Sequence, residues 1–339
     1  MAILKNTTIN DNEFLRLPSG TTAQRPPSPS TGMIRFNTSI NLYEIYSGTS
    51  WIPVDFRQIQ ATGGTQNTYT LDGITYKIHA FLSSGTFTVT AAGEIDLLVA
   101  GGGGGGGYLW GCGGGGGGLI FRPNLSINQG SYSIVVGSGG AMTTTVGAQG
   151  ASGQPSSAFG FVALGGGGGG NGDNGNPGIN GGSGGGGRTR VVSEAPTGQG
   201  LQPFQASFGY GNNGFQTTAA QGIGAGGAGA AGSGTFGGDG KFNVVIGAVT
   251  YNFREIFNNL YGHNVTGERW FAGGGHGAAG MPSFPQAGSR GSGSDVLATN
   301  QTIAAIANTG GGGSGNNATG TTNGNGGSGI VLLRYRIGI

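Results

Sequence analysis

Seven consecutive glycines, Gly101 to Gly107, follow directly on the strand-like run Ile95 to Ala100. The same junction recurs along the chain, which carries 82 glycines in 339 residues, against roughly 7% in average usage. Charged residues make up 8% and apolar ones 35%, whereas disordered chains combine low hydrophobicity with high charge or polar repeats. Ordering so many glycines costs on the order of 100 kcal/mol of backbone entropy, with almost no side-chain burial to offset it. One structure answers that cost. Extended threefold helices without side chains can pack side by side, each pairing its amides and carbonyls with several neighbours. Collagen needs glycine only at every third position; a bundle crowded on every face needs it at nearly all of them, as here.

The rest of the composition excludes more than it selects. A net charge of +2 from 15 basic and 13 acidic residues gives no electrostatic case for nucleic acid or an acidic membrane. No stretch approaches 18 apolar residues, so no membrane insertion is expected. The start, MAILKNTTIN, lacks a charged segment followed by a long apolar one, and implies a chain made in the cytoplasm and used without Sec export. A single cysteine, Cys112, excludes an internal disulfide or a cysteine-based zinc site, and its setting between glycines reads as a small filler.

Residues 1–62 are predicted to form one module and residues 63–339 another. In the first, the proline-rich connector Gly20 to Pro29 excludes helix. Gly32–Asn37, Leu42–Tyr46 and Trp51–Val54 then alternate at strand period as a small β-meander, too small to be stable alone. In the second, Thr68–Leu71, Ile74–Phe81, Thr86–Thr90 and Glu94–Ala100 are strands joined by turns such as Asp72-Gly73. Short strands then alternate with glycine blocks at 101–107, 113–118, 165–170, 184–187, 222–240, 273–280 and 310–329. The final IVLLRYRI segment (Ile330–Ile337) is the most strand-like of all and is expected to pair back with the first strands, closing a sandwich. One short helix is predicted, Asn252 to Leu260, with Phe253, Ile256, Phe257 and Leu260 on its buried face.

Two resemblances add to this reading. The segment Phe14 to Trp51, which contains LPSGTTAQRPPSPSTGMIRFNTS, resembles a module that recurs in virion proteins of tailed bacteriophages, especially those of cyanobacteria; Phe36 stands where tyrosine is usual. From about Tyr69 to Tyr335, the marks Tyr76–Phe81, Ser84–Val89, Leu98–Gly102 and Gly327–Val331 resemble the glycine-rich domain of phage tail fibres. The glycine-rich domains of anaplastic-lymphoma-kinase-type receptors imply a similar plan. The expected fold class is therefore all-β: a small N-terminal β-meander module, then a jelly-roll-like β-sandwich with an inserted polyglycine II helix bundle.

No catalytic or cofactor site is expected. Leu97 onward satisfies a strand followed by GxGxxG, yet no helix and no acid some 20 residues on accompany it, as a dinucleotide site requires. Gly240-Lys241 fails the phosphate-loop spacing. His79 reads as a half-exposed sheet residue, and His263 and His276, though near Glu268, lack ligand spacing. The 13 acids show no paired arrangement of the kind glycan hydrolysis uses.

What remains is recognition by surface. Tyr108, Trp110, Phe204, Phe208, Tyr210, Phe215, Trp270, Phe271 and Phe284 lie in or beside the glycine inserts. They either cap the bundle or stand exposed at loop tips, where binding residues on rigid scaffolds concentrate. The resemblance implies a structural virion protein, a tail-fibre or adhesin component that attaches to the host surface. Its partners would be other virion proteins, further copies in a homotrimer, and a host glycan or outer-membrane protein. The rival expectation is a capsid decoration or collar protein without a receptor.

Overall fold

The computed structural model describes residues 16–54, 59–171, 176–188, 197–202, 208–217, 222–278, 290, 304–316 and 324–338. The chain divides into two compact units, 1–58 and 59–339. The break precedes the expected one because Ile59 is buried in the core of the second unit and Gln60–Thr62 pairs within it.

Unit 1 is a four-stranded sheet of β1 (Ser19–Gly20), β2 (Ile34–Asn37), β3 (Leu42–Tyr46) and β4 (Trp51–Val54), in that order. The connector is not wholly extended: Thr22–Gln24 makes a 3-10 turn, its start fixed by the Gln24 side chain accepting from the Thr21 amide at 2.8 Å. The polarity of the sheet is inverted. Arg35, Asn37 and Glu44 share the sealed face, buried, while Ile34, Tyr43 and Ile52 are exposed. Arg25 reaches over from the connector, its Nη2 2.6 Å from Glu44 Oε2, and Asn37 donates to the same oxygen at 3.0 Å. The hydrogen-bonded Arg25 guanidinium holds the Glu44 carboxyl below the usual carboxylate range.

Unit 2 begins with β5 (Gln60–Thr62), β6 (Thr65–Leu71), β7 (Ile74–Phe81), β8 (Gly85–Ala91), β9 (Gly93–Ala100), β10 (Leu119–Ile127), β11 (Gly130–Ile134), β12 (Ser156–Ala158) and β13 (Phe161–Ala163). There follow β14 (Gly187–Arg188), β15 (Gly209–Tyr210), β16 (Gln216–Thr217), β17 (Asn243–Ile246), β18 (Val249–Asn252), α1 (Phe253–Ile256), β19 (His263–Val265), β20 (Glu268–Trp270) and β21 (Ile330–Gly338). One sheet runs β15-β10-β9-β21-β7-β6 and a second β11-β8-β5. The last strand closes the sandwich as expected, antiparallel to both β7 and β9.

Between the two sheets lies a core of Phe81, Phe87, Val89, Leu97, Val99, Ile134, Val331 and Leu333, among others. The opposite face of the six-stranded sheet is covered as well. Ile78, Leu98, Phe121 and Leu332 pack there against Val244, Phe253, Phe257 and Phe271 from the later insert. His79 lies on the other face, towards the core between the sheets, edge-on to Phe87 and stacked on Tyr335, so it is fully buried rather than half-exposed as expected. Its ring nitrogens meet the Gly63 carbonyl at 2.6 Å and the Tyr335 hydroxyl at 2.9 Å. The expected helix shrinks to the single turn of α1. Asn258 and Asn259 take left-handed φ values of 53° and 54° and end it, leaving Leu260 46% exposed. Tyr69 of β6 fastens the turn to the sheet by donating to the Ile256 carbonyl at 2.6 Å.

The glycine blocks form the bundle that their composition demands. Residues 101–107 donate their amides in threefold rotation to three antiparallel neighbours, at 2.8–3.0 Å. Gly101, Gly104 and Gly107 pair with Gly118, Gly115 and Cys112; Gly102 and Gly105 with Gln154 and Ala151; Gly103 and Gly106 with Gly327 and Gly324. Their carbonyls accept from three parallel neighbours through Gly140, Gly166 and Gly313 and the residues three further on. Recurrence at every third residue is the signature of a helix with three residues per turn. Residues 112–118 are enclosed in the same way, touching 101–107, 164–170, 183–186, 223–226, 275–278 and 310–316. A methyl group on Gly103 or Gly105 would fall on the carbonyl of Gly311 or Ala141. Cys112 is buried in this packing.

Candidate functional site

The two enclosed helices are joined by one turn, Tyr108-Leu109-Trp110-Gly111. It lies at the end of the bundle away from the sandwich, because 101–107 leaves β9 and 112–118 returns to β10. Seven residues at roughly 3.1 Å each place the turn about 22 Å from the sheet. The Gly107 amide donates to Cys112 and the Gly111 amide to Asn316, whose own amide donates back to Gly107. Leu109 and Trp110 adopt left-handed φ values of 49° and 55°, a region that costs L-residues roughly 1–2 kcal/mol each. Both are large side chains where glycine or asparagine would sit without strain. Tyr108, Leu109 and Trp110 are all half-buried. Asn316, beside them, is buried, and its carboxamide has no hydrogen-bond partner among the described residues.

The other aromatic candidates are not gathered here. Tyr210 pairs with Leu119 at the edge of the six-stranded sheet, with Lys241 Nζ 4.6 Å from its ring centroid. Burial pushes the Tyr210 hydroxyl up and the Lys241 ammonium down from their ordinary pKa values. Phe208 packs at the margin of the sandwich core beneath Arg122. Phe215 is half-buried, its amide donating to Gly224. Trp270 and Phe271 are buried, which removes them as surface residues; the Phe242 ring lies 4.5 Å from that of Trp270, tilted by 41°, next to the Lys241–Phe271 bridge that joins the two segments. Phe204 and Phe284 lie outside the described residues. Leu109 and Asn316 were not singled out in the sequence. An alternation of glycine with bulky residues at a turn was the one available signal for Leu109.

Among the described residues, no group of three or more histidines, cysteines or acids could hold a metal ion. His79, His263 and His276 are each buried, on separate elements. No helix among those residues is long and apolar enough to cross a membrane.

The family model described as a glycine-rich domain matches residues 82–336. The chain belongs to the glycine-rich domain family. The match runs from the end of β7 to β21, so the glycine-rich domain comprises most of the sandwich and every interior helix, with the Tyr108–Trp110 turn inside it. No curated protein matches the chain.

Proposed function

We propose that this glycine-rich domain protein is a structural component of a bacteriophage particle, a tail-fibre or adhesin part that attaches to the host surface. The carrying observation is the turn at residues 108–111, where two strained, bulky residues stand at the far end of the two most enclosed helices. Local strain of this kind persists only where surroundings over-determine it, and it concentrates at functional positions. A bundle held by main-chain hydrogen bonds on every side presents such a turn without yielding when load is applied. The likeness of Phe14–Trp51 to a virion module supports the setting, with unit 1 fastening the protein to the particle or to other copies in a trimer.

The test is competition. Purified full-length protein is expected to block adsorption of the phage that carries it, and Tyr108→Ala with Trp110→Ala to lower that block at least ~10-fold, about 1.4 kcal/mol. Unimpaired adsorption at saturating protein, together with labelling of the protein on the capsid, would instead favour a decoration or collar role.

A further inference from the structure

A concave surface lies on the sandwich, at the opposite end of the glycine helices from the Tyr108–Trp110 turn. It forms where the two sheets open. β11 is the edge of its sheet, and among the described residues the β15 segment pairs with β10 at Leu119, Ile120 and Phe121, with none paired at Leu125–Ile127 on that side. The groove between these edges has a volume of about 480 Å³, inside the roughly 300–1,000 Å³ range of small-molecule sites. Tyr132 and Phe159 form its aromatic wall, with ring centroids 4.9 Å apart. Asn128 in the β10–β11 turn and the edge of β11 at Ser131 and Ser133 border it, the two serine side chains lying on the outer face of that strand, where Ser131 Oγ is 3.5 Å from Thr88 Oγ1. No charged side chain is among its lining residues.

Phe159 is the residue that needs explaining. It occupies the first position of a two-residue hairpin loop between Ala158 and Phe161, with φ 51°, followed by Gly160 at 81°. Loops with both residues in the left-handed region favour Asn-Gly, and a β-hairpin gains nothing locally from phenylalanine there. The ring meets Phe87 of the core edge-on at 6.0 Å and still lines the groove with Tyr132.

The geometry points to a binding site for a neutral saccharide, of about disaccharide size, held on the Tyr132–Phe159 wall. The apolar faces of a sugar ring pack on aromatic carbon, and its hydroxyls pair with the Asn128 carboxamide and the main chain of the β11 edge without any charge to neutralise. With no carboxylate in the lining, the groove binds such a ligand and does not cleave it. This inference stands on the sandwich alone and does not depend on the attachment role of the distal turn.

The experiment is calorimetric titration of the full chain with maltose, cellobiose, lactose and N,N′-diacetylchitobiose, and separately with an uncharged strand-forming peptide. Saturable binding of at least one sugar is expected, weakened ~10-fold or more in both Phe159→Asn and Asn128→Lys. The first variant turns the loop into Asn-Gly and keeps the hairpin; the second alters only an exposed position. Thermal melts of both variants verify folding. The inference is overturned if none of the sugars binds the parent chain, if binding survives both substitutions in folded protein, or if only the peptide binds, which would mean strand addition at the β11 edge. Loss of adsorption competition in the Tyr108 and Trp110 variants with sugar binding intact would separate the two sites.

Discussion

A single added methyl group has nowhere to go inside the bundle. At Gly104 it would meet the Gly167 carbonyl, and at Gly106 the Ser314 carbonyl, with main chain rather than yielding side chain on the other side. Gly104→Ala is therefore predicted to lower stability by about 3 kcal/mol or more, the upper end of overpacking penalties, as read from urea denaturation midpoints. Gly247 is the contrast. Its φ of +62° is left-handed but nothing lies near it, so Gly247→Asn is expected to shift the midpoint by no more than about 0.5 kcal/mol. Glycine thus serves two unrelated purposes in one chain, absence of bulk in the first case and freedom of φ in the second. Trp110 and Phe159 break the second rule openly, and those breaks mark the two surfaces proposed to bind.

At the scale of elements, two buried histidines tie stability to acidity. His79 on β7 and His276 on the 273–278 glycine segment are both held below the ordinary histidine range, first by burial, His276 at about 4. The unfolded chain takes up these protons near pH 6.5 and the folded chain resists them. Their contribution is thus complete above about pH 6.5 and declines as pH falls toward about 4, by on the order of 3 kcal/mol for His276 alone. Urea denaturation at a series of pH values is expected to show this slope, reduced in His79→Asn; a flat response would contradict it. The placement of His79 was not legible in advance because what seals it is Phe87 from the facing sheet and Tyr335 from a strand 256 positions later. The length of α1 was equally hidden, since the apolar spacing of Phe253 to Leu260 is helical while Asn258 and Asn259 turn the backbone out of it. The closing strand β21 was legible, because Ile330–Leu333 is an unbroken apolar run that continues as Tyr335 and Ile337 alternating with arginines, the strongest strand pattern in the chain.

Across the whole molecule, the glycine runs announced their helix type but not their neighbours. Side chains ordinarily specify register, and these runs have none, so the enclosure of 101–107 and 112–118 could be found only in the folded structure. Tyr108 and Trp110 were readable as a pair because glycine flanks them on both sides; Trp270 was not, since its burial depends on Phe242 and the Lys241–Phe271 bridge outside its own hairpin. Main-chain pairing on every side predicts a sharp pattern of hydrogen exchange. Amides of 101–107 and 112–118 should exchange only with global opening, and those of 108–110 much faster. Rapid exchange throughout the glycine runs would remove the rigid platform on which the proposed attachment rests.

The interior helices have one more consequence, for the order in which the molecule can be assembled. Gly103 and Gly106 complete their pairing only with residues 324–327, and β7 and β9 meet only through β21. A nascent chain emerging from the ribosome therefore holds the two halves of its sheet apart, and Gly103 and Gly106 of its central glycine hairpin without these partners, until almost the last residue of β21 has been made. Translation that stops short of that strand leaves a polypeptide with no folded glycine-rich core to fall back on, and its exposed backbone becomes a substrate for proteases and chaperones.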